Sequence, residues 1–464
     1  MNDWPRTYGA IARAGTETPS LWGGLECTIV RVGDTYRNQF EETGHQDRIE
    51  DLDAIASLGI KTLRYPILWE AVAPEHPELN DWAWHDRRLG RLRELGITPI
   101  IGLIHHGSGP YYTSLTDEGF AEGLAKHAAN VIRRYPWLTM FTPVNEPVTT
   151  ARFSGLYGHW YPHLHDEASF YRMVINQVRA VILSMRAIRQ VAPHAALIQT
   201  EDIGKAFATD LVQYQADYEN ERRWLSLDLL CGRVDSNHPL WGTLLSHGLS
   251  EADLAFFTND PMPPDIIGVN HYLTSERYLD HSWWDYPTEF YGGNGVTEYA
   301  DVEAVRVAHL QGEVGPAARL REVWSRYQLP LAITEAHHGL TEDVQCRWLL
   351  DVWRAGCELK HEGVDIRAVT IWSLFGVVDW NSLLLQRNGF YEPGAFDARD
   401  YPPKRTALAD VAQQLATLGF SHGHKAALLG WWQRPERFYA TPASAKETVD
   451  ISDMRPTLKV LQKL

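Results

Sequence analysis

The chain has 464 residues, 44% of them apolar and 22% charged, with a formal net charge of −16. That length suits a barrel with insertions, and an acidic balance with no Lys/Arg block argues against a general nucleic-acid or anionic-membrane binder. A neutral substrate is expected, or an anionic one met by a local basic site. Aromatic residues are plentiful, with 18 Trp and 20 Tyr. Most must pack a core, and a Trp-rich pocket also suits flat apolar ligand faces. Cys27, Cys231, Cys346 and Cys357 form no CxxC pair. Cys346 and Cys357 fall in one predicted helix, too far apart along it for a bridge. A reducing compartment follows. The opening MNDWPRTYGA lacks a basic stretch followed by an apolar run, so no signal peptide is expected. No apolar run reaches membrane-spanning length. The expected location is the cytoplasm.

In chain order, short apolar runs occupy 20–28 (SLWGGLECT), 61–67 (KTLRYPI), 98–106 (TPIIGLIHH) and 138–146 (LTMFTPVNE). Four more follow at 195–202 (AALIQTED), 265–273 (DIIGVNHYL), 331–338 (LAITEAHH) and 367–375 (RAVTIWSLF). Helical patterns lie between them, such as HQDRIEDLDAIASLG and DEGFAEGLAKHAANVIRRYP. The second ends in basic residues and a Pro, as a helix C-terminus should. Continuous apolar strands separated by helices predict a parallel sheet covered on both sides. Eight such units predict an α/β fold of the (β/α)8 TIM-barrel class, a single domain with loop insertions.

Two segments break the rhythm. Residues 203–264 carry the helical QYQADYENERRWLSLDLL and then the Pro-rich NDPMPPD. Residues 274–313 carry HSWWDYPTEFYGGNGVTEY, which reads as a substrate-shaping loop over a pocket mouth. Trp283 and Trp284 in it read equally as stacking groups for a ligand and as loop anchors. The barrel is assigned to 1–420. The extension 421–464 begins with a segment, GWWQRPERFY, expected to dock on the barrel, and ATPASAKETVD reads as linker or tail. No phosphate-cradling Gly motif marks a nucleotide site.

Each apolar run finishes in a polar or aromatic group: Glu26, Arg64, His106, Asn145–Glu146, Glu201–Asp202, Asn270–Tyr272, Glu335 and Trp372. A (β/α)8 barrel opens all eight strand ends on one face, where its active site sits. Glu146 ends the fourth run and Glu335 the seventh, so the fold carries both to one rim. Two facing carboxyl groups are what glycoside hydrolysis needs: one protonates the departing oxygen, and the other attacks the anomeric carbon or activates water. A neighbouring cation, for which Arg64 is the candidate, would keep one ionised, while burial would keep the other protonated. Asn145 is placed to donate to a sugar 2-hydroxyl. The plainer reading of Glu146, followed by Pro147, is a helix cap. Glu201 and Asp202 read as a polar layer beneath the pocket, and Glu26 reads equally as the partner of a buried Arg and as a substrate ligand.

These residues carry a resemblance to family-1 glycoside hydrolases, scattered from about residue 21 to 397. TPVNEP resembles that family's TFNEP and AITEAHHG its ITENG, which implies Glu146 as general acid/base and Glu335 as nucleophile. LRYPILWEAVAP resembles the RxSxxWxRxxP region and implies that Arg64 supports the nucleophile. IIGLIHHGSGP resembles TLxHWDLP and places His106 on the sugar-binding His. IIGVNHYLT resembles IGxNYY and places Tyr272 beside the nucleophile. IWSLFGVVDW resembles WSLLDNFEW and places Trp372 on the sugar-platform Trp, with Asp379 and Trp380 on the final sugar-binding pair. The resemblance therefore implies catalytic Glu146 and Glu335, supporting Arg64, Asn145 and Tyr272, and substrate-binding Glu26, His106, Asn145, Trp372, Asp379 and Trp380.

The departures bear on sugar choice. The family's His-Trp is His106–Gly107 here, its Glu is the shorter Asp379, and its first-strand Gln has no clean counterpart, with Glu26 as the candidate replacement. WGGLECT also resembles an atypical branch in which such a barrel precedes a dTDP-4-dehydrorhamnose-reductase-like domain. His105, His106, His337 and His338 raise a metal reading, but the first strand lacks HxH, so sugar contact or packing is preferred and no metal or other cofactor is expected. The expected function is a retaining exo-acting β-glycosidase of altered sugar specificity acting on a small carbohydrate or glycoside. A transglycosylase, a sugar-binding protein without catalysis and a metal-dependent barrel hydrolase stand as alternatives. The sequence leaves oligomeric state open.

Overall fold

The computed structural model describes residues 18–419 and 429–439. Its centre is a closed barrel of eight parallel strands, Ser20–Gly24 (β1), Thr62–Pro66 (β2), Thr98–His105 (β3), Met140–Asn145 (β4), Ala196–Asp202 (β5), Ile266–Asn270 (β6), Leu331–Ala336 (β7) and Ile366–Ile371 (β8). Neighbours in the barrel are neighbours in sequence, and β1 pairs with both β8 and β2 to close it. All eight strands fall on the apolar runs of the sequence. They are buried on both faces, which is why the runs are continuous rather than alternating; every residue of Met140–Asn145 is buried.

The covering helices are Asp51–Ser57 (α1), Ala83–Glu94 (α2), Phe120–Arg134 (α3), Glu167–Val191 (α4), Leu225–Leu230 (α5), Pro316–Tyr327 (α6), Glu342–His361 (α7) and Ala407–Leu418 (α8). Helix α4 starts where the Asp166 side chain accepts from the Ser169 N–H, and α3 carries Arg133 and Arg134 in its last turn, where cations answer the exposed carbonyls. Inside the barrel, Trp22, Ile100, Met140, Ile198, Ile266, Ala332 and Ala368 form a separate apolar cluster. Large side chains, Trp22 above all, are balanced by alanines across the barrel, so its lower part is filled and not a pore.

Residues 274–313 differ from the expected loop. Arg277–Asp280, Tyr291–Gly293 and Glu298–Glu303 join Ala206–Ala208 in a four-stranded sheet. Tyr278, Phe290, Ala300 and Val302 give it a small core of its own, against which Trp283 packs. Trp284 is exposed, and neither tryptophan lines the cavity described below. Most aromatic residues of the segment are thus spent on this sheet, while Thr274, Arg277, Asn294, Tyr299 and Asp301 line the cavity described below, so the segment borders the pocket as a small sheet and not as an open loop.

Within 429–439, Trp432 is buried and donates from Nε1 to Asp351 Oδ2 at 2.9 Å, while Trp431 Nε1 donates to His338 Nε2 at 3.1 Å. The opening MNDWPRTYGA and the segment ATPASAKETVD lie outside the described residues. No helix among the described residues is long and apolar enough to cross a membrane.

Candidate active site

A cavity of about 900 Å³ opens at the carboxyl ends of the barrel strands, and both Glu146 and Glu335 line it. Glu335 lies within β7 and Glu146 follows β4 directly. Glu146 adopts φ 47 and ψ 65, a left-handed conformation that side chains other than Gly seldom take. Helix Pro147–Ala151 starts at the next residue. The Glu146 side chain makes no cap hydrogen bond to that helix; the buried Glu201 does so instead, accepting from the backbone of Val148 at 3.0 Å and from Ser226 Oγ at 2.7 Å. The helix-cap reading of Glu146 therefore passes to Glu201, which anchors the segment and leaves Glu146 free to face the cavity.

The two carboxyl groups keep different company. Arg64 Nη1 donates to Glu335 Oε1 at 2.8 Å and to the Thr334 carbonyl at 2.8 Å, and its Nη2 donates to Asn145 Oδ1 at 2.8 Å. Tyr272 Oη donates to Glu335 Oε2. Glu146 accepts from Asn270 Nδ2 at 2.5 Å, and Asn270 is itself fixed by Thr334 Oγ1 at 2.6 Å. Burial pushes both carboxyls above the usual range, but Arg64 and Tyr272 pull Glu335 back, whereas the charges of Glu335, Asp202 and Glu201 push Glu146 up further. Of the pair, Glu146 keeps the proton.

Asn145 lies beneath the cavity floor. Its Oδ1 is taken by Arg64 and by Thr200 Oγ1 at 2.7 Å, which turns its amide nitrogen toward His105 and His106, each 3.4 Å away. His106 lines the cavity, with Nδ1 3.1 Å from Thr150 Oγ1 and Nε2 4.0 Å from Glu146 Oε2. Burial lowers its pKa to about 3, so it is a neutral hydrogen-bonding group. Trp372 and Trp380 line the same cavity, and the buried Nε1 of Trp380 has no partner among the described residues. The Trp372 ring stacks on His105 at 5.4 Å and underlies Arg64 at 4.6 Å.

Glu26 also faces the cavity. Its partners are the Thr28 amide at 2.9 Å and hydroxyl at 2.6 Å, with no Arg among the described residues in contact. Burial raises its pKa to about 7. Asp379 is not brought to the cavity. One of its oxygens is held by Arg37 Nη2 at 3.0 Å and the Asn388 amide at 3.1 Å, the other by the Phe390 amide at 2.8 Å. A carboxylate so committed has little left for a substrate, which corrects its assignment as a sugar ligand.

Sequence reasoning gave no role to Asn270, although it ends an apolar run, and missed Glu392 entirely. Glu392 sits on the short strand Tyr391–Glu392, opposite Val377, and lines the cavity. It is 6% exposed, no protein group donates to its carboxyl among the described residues, and burial raises its pKa to about 7. The missing ring at Gly107 has a physical cause. A Cβ there would lie 1.9 Å from Glu70 Oε1 and 2.8 Å from the Ile29 carbonyl. Glu70, from the LWEAVAP stretch, fills that space and accepts from the Gly109 amide at 3.0 Å. Among the described residues no group of three or more His, Cys, Asp or Glu is arranged to hold a metal ion.

A closed parallel barrel with an ion-paired Glu on strand seven and a proton-holding Glu after strand four defines the class, the (β/α)8 glycosidase barrels. In sequence the chain is similar to β-glucosidases and related β-glycosidases. It is 22% identical over 423 residues to an aryl-phospho-β-D-glucosidase of Bacillus subtilis, covering 80% of this chain and 86% of the relative. It is 24% identical over 421 residues to a bifunctional β-D-glucosidase/β-D-fucosidase of Bifidobacterium breve, covering 80% and 87%. A family-1 β-glucosidase structure from Thermotoga maritima superposes with a TM-score of 0.70 at 17% identity, over 86% of this chain and 98% of that one. No family model matches the chain.

Proposed function

We propose that the protein is a retaining, exo-acting β-glycosidase that hydrolyses a β-linked terminal sugar by double displacement. The observation that carries this reading is the unequal pair: Glu146 and Glu335 share one cavity, and Arg64 and Tyr272 engage only Glu335.

Glu335, held ionised by Arg64, attacks the anomeric carbon. Glu146 gives its proton to the departing glycosidic oxygen. Once that proton is gone and Glu335 is esterified, the charge that raised the Glu146 pKa is removed, and Glu146 becomes the base that deprotonates water. Water attacks the glycosyl ester, releases the sugar and restores both carboxyls. Asn270 aims the Glu146 carboxyl, and Asn145, oriented by Arg64 and Thr200, turns its amide nitrogen to His105 and His106 and so helps set the His106 ring that faces the sugar. Glu26, His106 and Trp380 supply hydrogen bonds to the sugar ring, and Trp372 supplies a flat face. The cysteines are free among the described residues, which supports a reducing, cytoplasmic setting.

The curated relatives are named for glucosides, phosphoglucosides and fucosides, so the test is a panel of aryl β- and α-glycosides with the product anomer followed by NMR. Hydrolysis of a β-glycoside with first release of the β-anomer is expected. First release of the α-anomer from a β-glycoside would overturn the double displacement.

A further inference from the structure

Arg222 is buried without an ion pair among the described residues. It closes the helix Gln213–Arg222, is 5% exposed, and lies between the rings of Tyr218 at 5.3 Å and Phe170 at 5.5 Å. It lines the cavity, yet among the described residues it donates no hydrogen bond and forms no ion pair. A buried charge left that way is costly unless something else answers it. The carboxylates on this side of the cavity are engaged elsewhere. Asp301 pairs with Arg277 at 2.7 Å, Glu167 accepts from Tyr218 Oη at 2.9 Å and sits 2.9 Å from His247, Glu219 accepts from Gln215 at 2.8 Å, and Asp202 accepts from the Gly204 amide at 3.0 Å. Burial opposes the Arg222 charge, but Tyr157, Glu219 and neighbouring tyrosines outweigh it, so the guanidinium stays protonated.

Arg152 adds a second cation. It also lines the cavity, forms no ion pair among the described residues, and its buried Nε has no acceptor. Arg152 follows Glu146 on the same segment, Pro147–Ala151 running directly into Arg152–Leu156. Phe153 and Tyr157 of the same segment line the cavity too. Because an acid must reach the glycosidic oxygen, a leaving group is expected on the side of Glu146 and of the segment it begins.

Resting on the glycosidase reading above, we propose that this half of the cavity is a subsite for an anionic aromatic aglycone, a phenol bearing a carboxylate. Arg222 and Arg152 take the carboxylate by charge-assisted hydrogen bonds, and Phe153, Tyr157 and Tyr218 enclose the ring. An acidic protein thereby accepts an anion at one local basic site.

The test compares 4-carboxyphenyl with 4-carbamoylphenyl β-glycosides of whichever sugar the enzyme accepts, for the wild type, Arg222→Gln and the more exposed Arg152→Gln. The readout is the ratio of kcat/KM for the two aglycones, because leaving-group acidity cancels when that ratio is compared between enzymes. The ratio should fall about tenfold or more in Arg222→Gln, the scale of a lost charge-assisted hydrogen bond, and by less in Arg152→Gln. An unchanged ratio in both variants would overturn the subsite. So would an Arg222-dependent preference for a 6-phosphorylated sugar, since the anion would then belong to the other half of the substrate. Calorimetric titration with 4-hydroxybenzoate and 4-hydroxybenzamide separates the two levels. Binding of the carboxylate that is lost in Arg222→Gln, with no glycoside turned over, keeps the anion site and removes the glycosidase reading.

Discussion

Replacing Glu392 by Gln tests the most exposed energetic consequence of the cavity. Burial raises this carboxyl from an ordinary 4.5 to about 7, and no donor among the described residues offsets that cost. At about 1.36 kcal/mol per pKa unit, the charged form costs the fold about 3 kcal/mol once pH exceeds both values. A group with a raised native pKa contributes its full stability below the unfolded value and loses it as pH climbs through the native value. The wild type should therefore lose about 3 kcal/mol relative to Glu392→Gln between roughly pH 4 and pH 8. Glu26, Glu70 and Glu201 are also raised to about 7 and titrate in the same window. Only the difference between variant and wild type isolates Glu392. Urea unfolding of both proteins across this range supplies it, and any pH-independent cost of burying the amide cancels. Parallel stability profiles would refute the reasoning, because they would mean that the carboxyl has a donor or water that relieves its burial. A competitive sugar-like inhibitor, by supplying hydroxyl donors, should shrink the difference.

Glu146→Ala should slow poor leaving groups far more than activated aryl ones and should remove the alkaline limb of the pH–rate profile, since activity falls as the Glu146 proton is lost; equal losses for both leaving groups would count against its role as acid. Arg64→Met leaves Glu335 buried without its cation, which should cost roughly 3–5 kcal/mol of stability and move the acid limb of the profile to higher pH, both read from denaturation and pH–rate curves. Gly107→Ala drives a Cβ into Glu70 and should destabilise by about 1–3 kcal/mol. Combining it with Glu70→Ala should recover part of that loss, and strict additivity of the two changes would show that Glu70 is not the obstacle.

The barrel was legible because its signals are local. Each strand must be apolar along its whole length when helices cover one face and the barrel interior the other, and that requirement writes eight continuous runs into the sequence. Polar and aromatic residues stopping those runs marked the open face, so Glu146, Glu335, Arg64, His106, Tyr272 and Trp372 were found by position, and Trp380 by the resemblance of its motif. Their company was not local. Asp379 stands where a sugar ligand was expected, but Arg37, brought over by the loop after β1, turns it into a structural ion pair. Gly107 read as a lost ring until the fold put Glu70 in the same space. Glu392 follows no strand-end pattern, because a two-residue strand folds back from beyond β8 to deliver it. The aromatic stretch of 274–313 read as a loop over the pocket mouth, and it does border the cavity, but most of its rings pack one another in a sheet. Sequence by itself determined which strand-end residues reach the carboxyl face of the barrel, since the apolar runs and the polar groups that stop them set that. Tertiary structure decided which of them have polar atoms left for a substrate, since a buried charge or hydrogen-bonding group takes its partner from whatever distant segment the fold sets beside it.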